Sequence, residues 1–119
     1  MSKHNMLKGQ WGEGIAQNYL VQKGYQVLAV NYRHKFGEID LVCSIQETVV
    51  FVEVKTRFSK EFGVPEEAVN YRKQCQLRKL AQIFMLDKKM ENKTIRFDVI
   101  AISRDKHHKV TLNHIVGAF

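Results

Sequence analysis

Gly37-Glu38-Ile39-Asp40-Leu41-Val42-Cys43-Ser44-Ile45-Gln46-Glu47-Thr48-Val49-Val50-Phe51-Val52-Glu53-Val54-Lys55 is the stretch that decides the fold. Two apolar, β-branched runs flank the short polar segment Gln46-Glu47-Thr48, which is the pattern of two strands returning on each other as a hairpin. Within each run charge falls on alternate positions. A charge inside an apolar strand costs stability unless something pairs or binds it. Asp40, Glu53 and Lys55 therefore read as a placed site.

Side chains alternate across a strand, which puts Glu38, Asp40 and Val42 on one face and Ile39, Leu41 and Cys43 on the other. In the second run Val49, Phe51, Glu53 and Lys55 share a face opposite Val50, Val52 and Val54. A hairpin that turns midway between Gln46 and Glu47 sets Asp40 directly opposite Glu53, whereas a slip of one residue would separate them onto different faces. Directly opposed Cβ atoms lie about 5 Å apart. Two carboxylates at that range need a shared proton, a cationic side chain or a metal ion.

Lys55 meets part of that need. Mg²⁺ fits the rest, because it takes a few carboxylate oxygens together with water and substrate phosphate. Such an ion polarises a phosphoryl oxygen and lowers the pKa of a water molecule, and Lys55 would stabilise negative charge developing at phosphorus. The set matches phosphodiester hydrolysis. The competing reading is a solvated strand face on which Glu53 and Lys55 merely pair with neighbours.

Outward from the hairpin, residues 10–23 carry a helical stripe of Ile15, Ala16, Tyr19 and Leu20, stopped by Gly24. Residues 25–32 read as a strand, and the basic turn 33–37 leads into strands 38–45 and 49–55. A loop over 56–70, with Gly63, Pro65 and a short helical turn at 66–68, precedes a helix over 71–89 that places Leu77, Leu80, Ala81 and Phe84 on one face. Strands over 94–103 and 109–114 close the chain around the polar turn 104–108. The expected order is αβββαββ: an α/β fold with a mixed central sheet flanked by helices, in one domain over 1–119.

Lys and Arg total 19 against 12 Asp and Glu, a net charge of +7 that favours a polyanionic partner, nucleic acid before an anionic membrane. No stretch approaches the length of a membrane span. No signal-peptide core follows the basic start, so a reducing cytoplasm is the expected compartment. Cys43 and Cys75 are too few for a metal framework and read as buried reduced thiols. His34, His107, His108 and His114 have no metal-ligand spacing and read as surface or loop residues. Trp11 reads as core or helix-entry packing.

Two further residues border the site. Glu13 falls at the edge of the first helix's apolar stripe, pointing towards the sheet or else serving as a first-turn glutamate favoured by the helix dipole. Lys73 continues the Leu77, Leu80, Phe84 face near a helix N-terminus, where a cation is mildly unfavourable. It reaches a substrate phosphate or snorkels to water. Arg33, Lys35, Arg57, Arg72 and Lys79 flank the site in sequence as candidate phosphate contacts. Asp98 lies in a mostly apolar strand and reads as an anchor for a neighbouring loop.

With these residues in place the chain resembles the YraN family of small bacterial endonuclease-like proteins, and through it the PD-(D/E)XK nuclease superfamily. Gly12-Glu13 with Ala16, Tyr19, Leu20 and Gly24, then Gly37-Glu38-Ile39-Asp40-Leu41, then Val50-Phe51-Val52-Glu53-Val54-Lys55-Thr56-Arg57 carry the likeness. It continues through Lys73-Gln74, Ala81, Arg96-Phe97-Asp98-Val99 and the closing Ala118-Phe119. The resemblance implies a restriction-endonuclease-like αβββαβ core. It also implies that Asp40 and Glu53 bind Mg²⁺ or Mn²⁺ with the Val54 carbonyl, and that Lys55 is the catalytic lysine. Glu13 takes the place of the helical glutamate of archaeal Holliday-junction resolvases. The superfamily's proline before the first aspartate is replaced by Glu38-Ile39.

The resulting expectation is a nuclease acting on DNA, in a structured or branched form; cutting both strands of a junction would call for a homodimer. A nucleic-acid-binding module that keeps the fold without cutting, and an assembly partner with a structural acidic pair, are the alternatives.

Overall fold

The computed structural model describes the backbone of residues 3–58 and 69–119, with side chains over 7–58 and 69–119. Its elements are α1 (Lys3–Gln22), β1 (Gln26–His34), β2 (Gly37–Ile45), β3 (Thr48–Phe58), α2 (Tyr71–Asp87), β4 (Thr94–Arg104) and β5 (Val110–Ile115). The helical turn expected at 66–68 lies outside the described residues.

The five strands lie side by side in chain order. Neighbours pair antiparallel except β3 with β4, which run parallel from Thr48↔Thr94 to Phe58↔Arg104. Parallel neighbours need a long crossover, and α2 lies in that connection. The β2–β3 turn is two residues long, with Gln46 at φ 55 and Thr48 already paired with Ile45.

Two apolar clusters occupy the two faces of the sheet. One joins Val42, Val49, Phe51, Phe97 and Val99 to Leu77, Leu80, Ala81, Phe84 and Met85 of α2. The other joins Leu41, Cys43, Val50, Val52, Ile100 and Ile102 to Ala16 and Leu20 of α1. Alternation along β3 and β4 produces both, since each strand feeds apolar side chains to both layers. Each buried Leu, Val or Phe contributes about 1.5–3 kcal/mol relative to exposure.

Helix ends follow local chemistry. Gly24, at φ 94, closes α1: its N–H donates to Val21 O at 3.0 Å and the Tyr25 N–H to Leu20 O at 3.0 Å, the paired bonds of a Schellman stop. Asn70 caps α2 by accepting from the Lys73 N–H at 2.9 Å. The α1 helix begins at Lys3, seven residues before the expected start at residue 10. Glu13 is therefore mid-helix, and the reading of it as a first-turn, dipole-favoured glutamate is overturned.

Cys43 is buried but Cys75 is exposed. Two positions before Leu77 on a helix is about 200° around the axis, so Cys75 points away from the layer that Leu77 joins. Among the described residues no helix is long and apolar enough to cross a membrane.

Candidate active site

The β2–β3 ladder runs from Ile45↔Thr48 to Leu41↔Val52 and ends there. Continuing that register brings Asp40 opposite Glu53, the rung at which the strands part. The same rung disturbs β1, where Asn31 takes φ 53 between the paired residues Val30 and Tyr32. Both strands change face at this point: Ala29 and Tyr32 reach the α2-side cluster although three residues apart, as do Val42 and Ile39. The strict alternation expected of Ile39 with Leu41 and Cys43 therefore fails at Asp40.

That irregularity aims Asp40 into the gap between strands. Its Oδ2 accepts a hydrogen bond from the Val54 N–H at 2.8 Å, replacing a rung of the ladder with a side chain. A strand residue turns its N–H and C=O to the same side, so the Val54 carbonyl faces the same gap. Groups from both helical layers converge here. Lys73, in the first turn of α2, holds its Nζ 3.8 Å from Glu53 Oε2. Glu13, from α1 on the opposite face, lies close enough to Asp40 and Glu38 to feel their charge and takes a hydrogen bond from Asn31.

Gly12 makes the α1 approach tight, since a Cβ there would run into the Thr56 hydroxyl. The glycine lets the helix lie against β3 and so carries Glu13 to the sheet.

Electrostatics mark the pair. Burial, then the charge of Asp40, pushes the Glu53 carboxyl up to about 7, against the opposing pull of Lys73 and Lys55. Asp40 is also raised, first by burial and then by Glu38, while the Val54 N–H, Lys73 and a hydrogen bond from Glu53 hold it down. A hydrogen bond joins the two carboxyls, and burial together with their like charge disfavours ionising both at once. Glu13 is raised by burial and then by Asp40, with the Asn31 hydrogen bond opposing.

Two carboxylates and a main-chain carbonyl are hard oxygen donors of the kind that Mg²⁺ and Mn²⁺ take. No group of three or more His, Cys, Asp or Glu able to hold an ion occurs among the described residues. The share of ligands offered by the protein is small, which suits an ion that keeps water and accepts phosphate oxygens. The donor set fits.

The remaining candidates divide. Lys55 and Arg57 line one hollow, and Arg72 and Lys73 another at the start of α2. Arg33 is engaged with Glu38 at 3.0 Å. Lys35 and Lys79 lie over the Phe36 ring, at 5.3 and 3.6 Å from its centroid. Trp11 meets Phe58 edge-on at 5.3 Å, and the Arg104 guanidinium lies 3.9 Å from the Phe58 centroid.

A second polar centre surrounds Asp98, which is fully buried. Arg96 grips it with two bonds of 2.9 and 2.8 Å, and the Gly117 N–H donates at 3.0 Å. His114 Nε2 lies 2.7 Å from Asp98 Oδ2. The carboxylate can only accept, so Nε2 carries the hydrogen. Tyr25 Oη takes a further bond from Arg96 at 2.7 Å, and Tyr19 Oη lies 3.0 Å from His114 Nδ1. Burial alone would raise the Asp98 carboxyl, but His114, Arg96 and the Gly117 N–H outweigh it and bring it to about 2. His114 is thus a buried partner, with its side chain 7% exposed, and the reading of it as a surface or loop residue is overturned. Asp98 ties β4 to β5 and to the C-terminal segment.

The profile of a family described as uncharacterised protein family UPF0102 matches residues 12–102. A UPF0102 protein of Natranaerobius thermophilus is 47% identical over 118 residues, covering 98% of this chain and 99% of that protein. One from Alkaliphilus oremlandii is 45% identical over 114 residues, covering 93% and 96%. Among solved structures, Pyrococcus furiosus SfsA in complex with Ca²⁺ aligns with a TM-score of 0.44 at 15% identity, over 95% of this chain and 64% of that one. The match spans both strands of the acidic hairpin and the helix that carries Glu13, and the chain belongs to the UPF0102 family.

Proposed function

We propose that this protein is a divalent-cation-dependent nuclease that hydrolyses DNA phosphodiesters, with structured or branched DNA as its substrate, on a restriction-endonuclease-like core. The observation that carries the reading is the Asp40–Glu53 pair at the parted end of β2 and β3. Burial raises both carboxyls there, the charge of Asp40 raises Glu53 further, and the Lys73 ammonium lies 3.8 Å from Glu53. A purely structural acidic pair has no need of such strain. A pair that binds a cation does, because the cation relieves it.

In this reading Asp40 and Glu53 hold Mg²⁺ or Mn²⁺ with the Val54 carbonyl. When bound, the cation supplies a Lewis acid at the phosphoryl oxygen and lowers the pKa of a water molecule. The Val54 N–H fixes the Asp40 carboxylate so that it need not reorganise. Lys55, on the Glu53 side of β3, stabilises negative charge as it grows on the phosphoryl oxygens. Lys73 neutralises part of the site in the free protein and pairs with phosphate when substrate arrives. Glu13, raised by burial and Asp40 and oriented by Asn31, orients the attacking water from the α1 side. Arg33, Lys35, Arg57 and Arg72 add phosphate contacts, and the net charge of +7 draws the polyanion in.

The test is cleavage of linear, flapped and four-way DNA with Mg²⁺ or Mn²⁺. Product that is lost in Glu53→Ala and in Lys55→Ala supports the enzyme. Salt-dependent binding that never yields product would replace it with the nucleic-acid-binding module.

A further inference from the structure

Beyond Glu53 on β3, Lys55 and Arg57 fall on the same face. The register carries that face across the sheet: Lys55 pairs with Ala101 and Ala101 with Asn113, while Arg57 pairs with Ser103 and Ser103 with Thr111. These six side chains lie around a hollow of about 390 Å³, and among its described lining residues none is acidic. Short side chains on β4 form its floor, cations its β3 wall, and a hydroxyl and an amide its β5 rim.

The charge continues past the hollow. The β4–β5 turn adds Lys106 and Lys109. Its acid, Asp105, accepts from the His107 and Lys109 N–H groups at 2.8 and 2.9 Å, which commits that carboxylate to the turn. From Glu53 to Arg57 the strand advances about 13 Å, room for a few nucleotides at the 3.4 Å axial rise per strand.

We propose that this hollow is a backbone-phosphate subsite. The polynucleotide leaves the acidic pair along β3 towards the β4–β5 turn, with one phosphodiester seated over Ala101 and Ser103 between the Arg57 guanidinium and the Thr111 hydroxyl. This rests on the nuclease reading and gives it a direction and a second contact. The cations, hydroxyl and amide among its described lining residues suit phosphate rather than base edges, so the subsite holds the strand irrespective of sequence. A strand is the occupant because Lys55 belongs both to the hollow and to the surroundings of Glu53, leaving no break between the two.

Thr111 is exposed and has no part in the acidic site, so charge can be placed there in either sign. Thr111→Glu and Thr111→Lys, each made in a Glu53→Gln background so that no strand is cut, are titrated by fluorescence anisotropy against a labelled DNA duplex across a salt series. The glutamate is expected to weaken binding roughly 5- to 10-fold, and the lysine to tighten it and steepen the log–log salt slope by about 0.9. Opposite signs at one position exclude a folding defect as the cause. If the Glu53→Gln protein binds DNA and both variants shift together or not at all, the subsite is overturned and the nuclease reading stands. If the Glu53→Gln protein binds no DNA even at low salt, both fall.

Discussion

Asp40 Oδ2 accepts the Val54 N–H at 2.8 Å, so the residue one position past Glu53 fixes the carboxylate that faces Glu53. The bond turns Asp40 into the gap between strands and favours its ionised form, against the burial that raises both carboxyls. Position and charge of the pair are set at one rung of a hairpin that stops pairing there.

Folding raises the Glu53 carboxyl from its ordinary 4.5 to about 7. A raised carboxyl contributes stability that is fully present below the unfolded value and is lost as pH rises through the folded one. The metal-free protein is expected to lose on the order of 3 kcal/mol between about pH 4.5 and 7.5 from this group. Glu53→Gln removes that arm and is more stable than wild type at pH 8 in EDTA. Urea unfolding at both pH values checks it; a Gln variant weaker than wild type at pH 8 would contradict it.

Asp98 works in the opposite sense. Its carboxyl falls from 3.8 to about 2 on folding, so its contribution is present above the unfolded value and disappears as pH drops through the folded one. Asp98→Asn is expected to cost roughly 3 kcal/mol at pH 7, because it leaves Arg96 without its counter-charge. The same variant should lose the wild type's decline between about pH 4 and 2. Parallel denaturation curves for the two proteins across that window would contradict the assignment.

Gly12→Ala tests the approach of α1 to β3. The added methyl meets the Thr56 hydroxyl, so the helix must lift or the Thr56 side chain turn away, at a cost of about 1–3 kcal/mol. Thr56→Ala in the same chain removes the obstruction and should recover much of the loss, a non-additivity that a double-mutant cycle reads directly. Additive effects would show that the contact is not tight.

Much of this architecture was legible from residues 37–55 because alternation and a short turn are both local signals. Asp40 facing Glu53 follows from the position of that turn alone, and the observed ladder keeps that register as far as Leu41↔Val52. The change of face at Asp40 was not legible, since a positive φ at Asn31 leaves no periodic trace. Nor was the Asp98 network. Arg96 is two residues away on β4, but Tyr25, His114 and Gly117 are gathered by the fold from other segments. Lys73 was legible as an anomaly, a cation in line with Leu77 and Leu80 near a helix N-terminus. Its proximity to Glu53 is what the fold adds.

Anomalous scattering from crystals soaked in Mn²⁺ tests whether Asp40 and Glu53 take one divalent cation between them. A peak is expected about 2.0–2.2 Å from both carboxylates, and it should disappear in Asp40→Asn. A structure at saturating Mn²⁺ with no peak at the pair, or with the peak unmoved in Asp40→Asn, would contradict it.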